Sequence, residues 1–249
     1  MILYPNAKIN LGLNILRKKN NGYHEINSVF YPVKNICDIL EIVPSKKFSF
    51  SSTGIKINDN NNICIRAFNL FKKDFNIGNV KMHLHKQIPI GAGLGGGSSD
   101  GAFTLLMLDK IFDLRLSKSI LKKYATFLGA DCSFFIENRP SFVSGIGEKI
   151  KVINLDLSDY KIEFFFSDLH ISTADAYGNI VPALPLFSLN NILDLPINRW
   201  RNKIVNDFEL PIFQKYFELE KAKERFYKQG AIYSSLTGTG SAIYAIFDK

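Results

Sequence analysis

Five glycines stand within seven residues in the stretch Pro89-Ile90-Gly91-Ala92-Gly93-Leu94-Gly95-Gly96-Gly97-Ser98-Ser99-Asp100. Such freedom costs conformational entropy on folding, and a turn between two elements does not need it. A run of this kind marks a place where backbone must come close to something. Asn79 to Lys86 before it alternates apolar and polar residues and predicts a strand. Gly101 to Asp109 after it predicts a helix, with Ser98 or Ser99 at the cap and Asp100 in the first turn. Strand, glycine loop and helix start together aim bare N–H groups and the positive end of a helix dipole at one spot, a chemistry suited to polyphosphate. Two other side chains invite chemistry. Lys8 shares one face of a predicted strand with Asn10, Gly12 and Asn14, where a solvated lysine is the plainer reading. Asp131 follows the helix stop Gly129, and from position alone it could be the N-cap of the next short helix.

The loop does not fit the commoner phosphate-binding patterns. A Walker A loop needs Gly-Lys followed by Ser or Thr, and no lysine lies inside this one. Gly91, Gly93 and Gly96 satisfy GxGxxG, but any run so rich in glycine does, and the polar face of the preceding strand argues against a buried parallel strand. The VAIK, HRD and DFG elements of protein kinases are absent. Pro-x-Gly-x-Gly-Leu-Gly-Gly-Gly-Ser-Ser instead resembles the phosphate loop of the GHMP kinases, the small-molecule kinases that include galactokinase, homoserine kinase and mevalonate kinase. Three further segments carry the same resemblance: Ala7-Lys8-Ile9-Asn10-Leu11 followed by Gly22-Tyr23-His24, then Gly129-Ala130-Asp131 ahead of Phe135, then Thr237-Gly238-Thr239-Gly240-Ser241. The triple glycine before Ser-Ser and the Gly-Tyr-His signature are similar to the branch of the family whose acceptor is a cytidine-diphosphate alcohol.

That resemblance implies an α+β fold of two domains. An N-terminal ribosomal-S5-like, ATP-binding catalytic domain would span 1–153, and a C-terminal α/β substrate domain 154–249. It implies ATP-dependent phosphorylation of the 2-hydroxyl of a cytidine-diphosphate alcohol in the non-mevalonate route to isoprenoid precursors. Lys8 and Asp131 would be catalytic, meeting at hydrogen-bond distance. Pro89, Ile90, Gly91, Ala92, Gly93, Leu94, Gly95, Gly96, Gly97, Ser98 and Ser99 would hold the ATP phosphates, with Asn62 and Lys86 near the adenine. Asn10, Tyr23, His24, Thr173 and Tyr177 would bind the acceptor, the base lying between aromatic rings. No protein metal site is expected, and Mg²⁺ would arrive with ATP. Relatives generally continue past the last strand with a further helix and strand, so a shortened C-terminal domain and an open strand edge near Ile246 and Phe247 are expected.

The elements that must position these residues read as follows. Met1 to Leu16 is strand-like, Asn20-Asn21-Gly22 is a turn, and a strand runs over Ile26 to Pro32. Ile36 to Val43 and Phe48 to Ser51 suggest a strand pair, after which Asp59, Asn60, Asn61 and Asn62 cap a helix through Phe71. Lys118 to Leu128 predicts a helix closed by Gly129. Strands follow at Pro140 to Lys149, Lys151 to Leu155 and Ile162 to Phe166, then a helix entrance capped by Ser172 or Thr173. Helices near Leu189 to Leu193 and Val205 to Phe226 precede the glycine turn between the last two strands.

Composition narrows the partners. The chain has 249 residues and a net charge of +8, but its lysines are scattered in short pairs rather than gathered on one face with aromatics, which argues against a nucleic-acid surface. Three distant cysteines form neither a CxxC pattern nor a disulfide framework and suit a reducing cytoplasm. No apolar run approaches the ~20 residues of a membrane span. A small-molecule enzyme, monomeric or weakly dimeric, is the expectation. Other GHMP kinases fit less well because they have no base for Tyr23 and His24 to recognise. A non-catalytic nucleotide-binding module fits less well because Lys8 and Asp131 are intact. His83 and His85 share a strand face, where solvation is a simpler account than metal binding.

Overall fold

The computed structural model describes residues 1–57, 62–178 and 180–249. Asp59, Asn60 and Asn61, read as caps, lie outside the described residues. The chain forms two compact units that interleave in sequence. The first comprises Met1–Lys8, Pro32–Ile90 and Gly95–Arg139, and the second Ile9–Tyr31, Gly91–Leu94 and Pro140–Lys249. Helices and sheets are mixed in the α+β manner expected.

In chain order, β1 (Ile2–Leu3) precedes the long strands β2 (Asn6–Lys18) and β3 (His24–Cys37), joined by the turn in which Gly22 N–H donates to Lys19 O at 3.0 Å. Then come β4 (Ile39–Ser45), β5 (Ser49–Gly54), α1 (Ile63–Asp74), β6 (Asn79–Lys86), α2 (Gly96–Ile111), α3 (Lys118–Leu128) and α4 (Cys132–Glu137). The second half holds β7 (Ser141–Gly145), β8 (Lys149–Val152), β9 (Tyr160–Phe165), α5 (Thr173–Gly178), α6 (Glu209–Lys215), α7 (Phe217–Lys228), β10 (Tyr233–Leu236) and β11 (Ile243–Asp248).

In the first unit the sheet order is β1-β4-β6-β5. The expected pairing of β4 with β5 is therefore corrected: β6 lies between them, antiparallel to β4 and parallel to β5. A parallel neighbour needs a crossover of a dozen or more residues, and the stretch containing α1 supplies it. Asn62 caps α1, its side-chain oxygen accepting from Cys64 N–H at 2.8 Å, and Ser117 caps α3 by accepting from Ile120 N–H at 3.3 Å. Buried Phe68 and Phe71 of α1, Leu105 and Leu108 of α2, Leu121 of α3 and Phe134 of α4 fill the core with Leu40, Met82 and Leu84 of the sheet. His83 hydrogen-bonds the hydroxyls of Ser51 and Thr53, and His85 that of Thr53.

The second unit holds the three-stranded sheet β10-β11-β9 and most of a sheet ordered β2-β3-β7-β8. Its core gathers Leu13, Ile15, Ile26, Phe208, Leu219, Phe226, Leu236 and Ile243. The expected open edge at the C-terminus is also corrected. β11 is the central strand, antiparallel to β10 on one side and β9 on the other, and Ile246 is buried. Among the described residues no helix is long and apolar enough to cross a membrane.

Glu209 ties three elements of this unit together. Its carboxylate accepts from Leu236 N–H and Ser235 Oγ, each at 2.9 Å, and from Lys223 Nζ at 2.7 Å. Glu209→Ala leaves these donors without an acceptor and is expected to cost about 3 kcal/mol. Urea unfolding of the variant beside the parent measures it.

Candidate active site

The phosphate-binding potential of the first unit comes from how α2 begins. The helix starts at Gly96, so Ser98 and Ser99, expected at its cap, lie inside it, and Asp100 falls beyond its first turn. The cap position is Gly95, at φ +69° and with no side-chain cap hydrogen bond. That conformation favours glycine, and a Cβ there would also press on the Lys8 stem and the Phe135 ring, both at 3.1 Å. The first N–H groups of a helix have no intrahelical acceptor, so an end without a capping side chain is open to an anion. Gly97 is exposed, and a Cβ added to it would meet nothing within 4 Å. Gly96 is the opposite case, since a Cβ there would lie 2.8 Å from Ile88.

Lys8 and Asp131 belong to the same unit. The lysine is only 3% exposed, so the solvated reading of its strand face does not hold; Asp131 is 33% exposed. Asp131 sits at the N-cap of α4 without capping it, which leaves its carboxylate free of that duty. The two charges stand 3.9 Å apart, farther than the hydrogen-bond distance expected from sequence but within ion-pair range. Burial holds the Lys8 pKa below its ordinary 10.5, with Asp131 pulling partly the other way.

The two residues expected near adenine have internal duties. Asn62 caps α1, as described. Lys86 is 4% exposed, with its ammonium between Asp38 and Asp100.

In the second unit, Gly93 packs against the C-terminal glycine turn, Ala92 O accepts from Ala242 N–H at 3.2 Å, and Gly91 lies against His170. Thr237 Oγ donates to Gly93 O at 3.1 Å, and a Cβ on Gly93 would fall 1.9 Å from Thr237 O. Only glycine permits that approach. Asn10 organises the same turn: its side-chain oxygen accepts from Gly238 N–H at 2.9 Å and its amide nitrogen donates to Ser28 Oγ at 2.9 Å. The buried amide is thus committed inside the unit. The His24 ring stacks on Tyr177, centroids 4.8 Å apart, and Phe208 meets Tyr177 edge-on at 4.9 Å. The His24 pKa is lowered by partial burial and by Lys18, which favours the neutral ring with one donor and one acceptor. Tyr23 is 60% exposed, its ring open to solvent. Thr173 opens α5, where Ser172 Oγ accepts from Asp175 N–H at 3.0 Å.

Residues 62–138 match the sequence profile described as GHMP kinases N terminal domain, and residues 194–249 that of GHMP kinases C terminal. A curated relative from Azobacteroides pseudotrichonymphae, named 4-diphosphocytidyl-2-C-methyl-D-erythritol kinase, is 46% identical over 252 residues, covering all of this chain and 94% of its own. The chain belongs to the GHMP kinases. A crystal structure of 4-(cytidine 5'-diphospho)-2C-methyl-D-erythritol kinase superposes on this GHMP kinase with a TM-score of 0.85 at 30% identity, covering 99% of this chain and 90% of that one. The mevalonate kinase of Methanococcus jannaschii shares the fold, with a TM-score of 0.68 at 12% identity.

As a small-molecule kinase the protein uses ATP, and the opened start of α2 is where its chemistry suits polyphosphate. Among the described residues no group of three or more His, Cys, Asp or Glu could hold a metal ion, and Asp100 Oδ2 is taken by Lys86. Asp38 is the member of this region that the sequence did not single out. Its only local sign is a carboxylate interrupting the apolar Ile36–Leu40 stretch.

Three tests follow from this geometry. Gly97→Val is expected to abolish ADP binding in titration calorimetry with little change in melting temperature. Gly96→Val is expected to lower the melting temperature as well, because its side chain enters the core. Asp131→Ala and Lys8→Ala should each cut kcat by about a hundredfold or more, and the double variant should lose little beyond the worse single. If activity needs the Lys8 ammonium, the alkaline fall in kcat begins below pH 10.5, since the ammonium of a lowered-pKa lysine is lost earlier as pH rises.

Proposed function

We propose that this kinase transfers the γ-phosphoryl group of ATP to the 2-hydroxyl of 4-diphosphocytidyl-2-C-methyl-D-erythritol, a cytoplasmic step of the non-mevalonate route to isoprenoid precursors. The observation that carries the reading is the 46% identity, over the whole chain, to a relative named for that substrate. The intact Lys8–Asp131 pair supports catalysis rather than binding alone. In this proposal residues 1–153 form the ATP-binding catalytic part, which also lends Tyr23 and His24 to the acceptor, and 154–249 the rest of the substrate part. The protein acts as a monomer or weak homodimer.

Phosphoryl transfer is mainly positioning and charge stabilisation. The bond between the γ-phosphorus and the β–γ bridging oxygen breaks, and a bond forms from the acceptor oxygen to that phosphorus. In the first unit, N–H groups of the glycine loop hold the phosphates of the nucleotide. Asp131 accepts the proton of the attacking hydroxyl, and Lys8 orients Asp131 and offsets the negative charge that develops. Mg²⁺ would arrive with the phosphates of ATP. In the second unit, Tyr23 offers its exposed ring face to cytosine and neutral His24 offers a donor and an acceptor to the edge of the base. Tyr177, stacked on His24, fixes that imidazole plane, and Thr173 lies nearer the diphosphate.

The test is ADP release by purified protein offered ATP with the cytidine-diphosphate alcohol, with mevalonate, with homoserine, or with no acceptor. Turnover confined to the first supports the proposal, and equal turnover on the others sinks it. Tyr23→Ala should raise KM for the cytidine-diphosphate alcohol by roughly ten- to a hundredfold while leaving ATP binding unchanged. Methylerythritol phosphate, which lacks the base, should be a poor substrate for both proteins. Equal losses on the two acceptors would mark Tyr23 as structural.

A further inference from the structure

Three charges meet in the interior of the first unit. Asp38 is fully buried at the junction of β3 and β4, Lys86 ends β6, and Asp100 lies in α2. Lys86 Nζ donates to Asp38 Oδ2 and, at 2.9 Å, to Asp100 Oδ2. Asp38 Oδ1 accepts from the backbone N–H groups of Gln87 at 2.6 Å and Ile88 at 2.9 Å. A Cβ added to Gly96 would lie 2.9 Å from Lys86 Nζ, so the ammonium sits directly beneath the first residue of α2. The Lys86 backbone is held too, its carbonyl accepting from Ile55 N–H at 2.9 Å.

The cluster therefore holds both flanks of the glycine loop within this unit. Ile88 before the loop is fixed through its N–H, and the helix after it is fixed through Asp100. Burial alone would push the Lys86 pKa down, but Asp100 and Asp38 hold it above its ordinary value, so the lysine stays charged. Burial pushes the Asp100 carboxyl up, against the pull of Lys86. Buried ion pairs are poor sources of net stability, because desolvation consumes most of what the attraction returns. An arrangement of this cost at the two ends of one loop points to geometry. Two of the three donors of the buried ammonium are committed to these carboxyl groups.

We propose that Asp38 and Asp100, acting through Lys86, are positioning residues that hold the glycine loop in the register where its N–H groups meet the phosphates of ATP. The inference rests on the reading that the loop binds ATP. Lys86 then serves the nucleotide through the loop rather than by touching it.

The experiment measures ADP affinity by titration calorimetry, and separate KM and kcat values, for wild type, Gly97→Val, Asp38→Asn, Asp100→Asn and Asp100→Glu. Circular dichroism and melting temperature report folding. The expected result is a folded Asp100→Asn protein with ADP affinity and ATP KM weakened about ten- to a hundredfold, as for a small misplacement of binding groups. Its KM for the acceptor should stay within about threefold of wild type, a split that a general loss of structure would not produce. Asp100→Glu, which keeps the carboxyl group, should recover part of the affinity. Should Asp38→Asn fail to fold, the two Asp100 variants carry the test. Wild-type ADP affinity in folded Asp100→Asn overturns the proposal, and so does failure of both Asp100 variants to fold, since the cluster then serves the fold as a whole. If Gly97→Val binds ADP as wild type does, the ATP reading of the loop itself fails. Loss in Gly97→Val without loss in Asp100→Asn removes only the positioning role.

Discussion

The start of α2 without a capping side chain is the constraint on which the chemistry of this protein depends. A helix end normally satisfies its first N–H groups with a side-chain cap, as Asn62 and Ser117 do for α1 and α3. At α2 the cap is Gly95 in the left-handed conformation, which has no side chain to give. The unsatisfied donors are then available to a ligand, and the surrounding residues must hold a loop that local hydrogen bonding does not hold. Phe135 and the Lys8 stem close against Gly95, Ile88 and Lys86 lie against Gly96, and the backbone of Thr237 lies against Gly93. At Gly93, Gly95 and Gly96 a side chain would collide with these neighbours, whereas Gly97 faces open space.

Two buried lysines in the first unit show how burial and partners divide their roles. Beside Lys8 a partly exposed carboxylate stands at 3.9 Å, and desolvation dominates, so its pKa falls. Lys86 has two buried carboxylates at bonding distance, and its pKa rises. A lysine with a lowered pKa beside a reachable carboxylate suits chemistry. One clamped between two buried carboxylates suits architecture.

The second unit uses neutral polar groups for the corresponding work. Asn10 and Asn206 hold the C-terminal glycine turn, the latter by donating to the carbonyls of Leu236 at 2.9 Å and Gly238 at 2.8 Å. Each buried amide meets backbone groups that the turn leaves unpaired, so the turn keeps one shape without a buried charge. The same region leaves Tyr23 exposed while Tyr177 is held by His24 and Phe208, so the two tyrosines are unlike as binding groups.

What the sequence determined by itself was local. The glycine run, the cap at Asn62 and the helix 118–128 could be read from neighbours and spacing, because turn, cap and periodicity energies act over a few residues, while the segments around Lys8, Tyr23, Asp131 and Gly238 were legible through their resemblance to a known family. What only the tertiary structure decided was long-range. It placed β6 between β4 and β5, made β11 a central strand, moved the start of α2 back to Gly96, and set Asp38 against a lysine 48 residues away. Lys8 looked solvated because strand alternation reports which residues share a face, not whether that face meets water. Strand order, burial and charge pairing depend on distances in space between segments remote in sequence, and no local pattern records those distances.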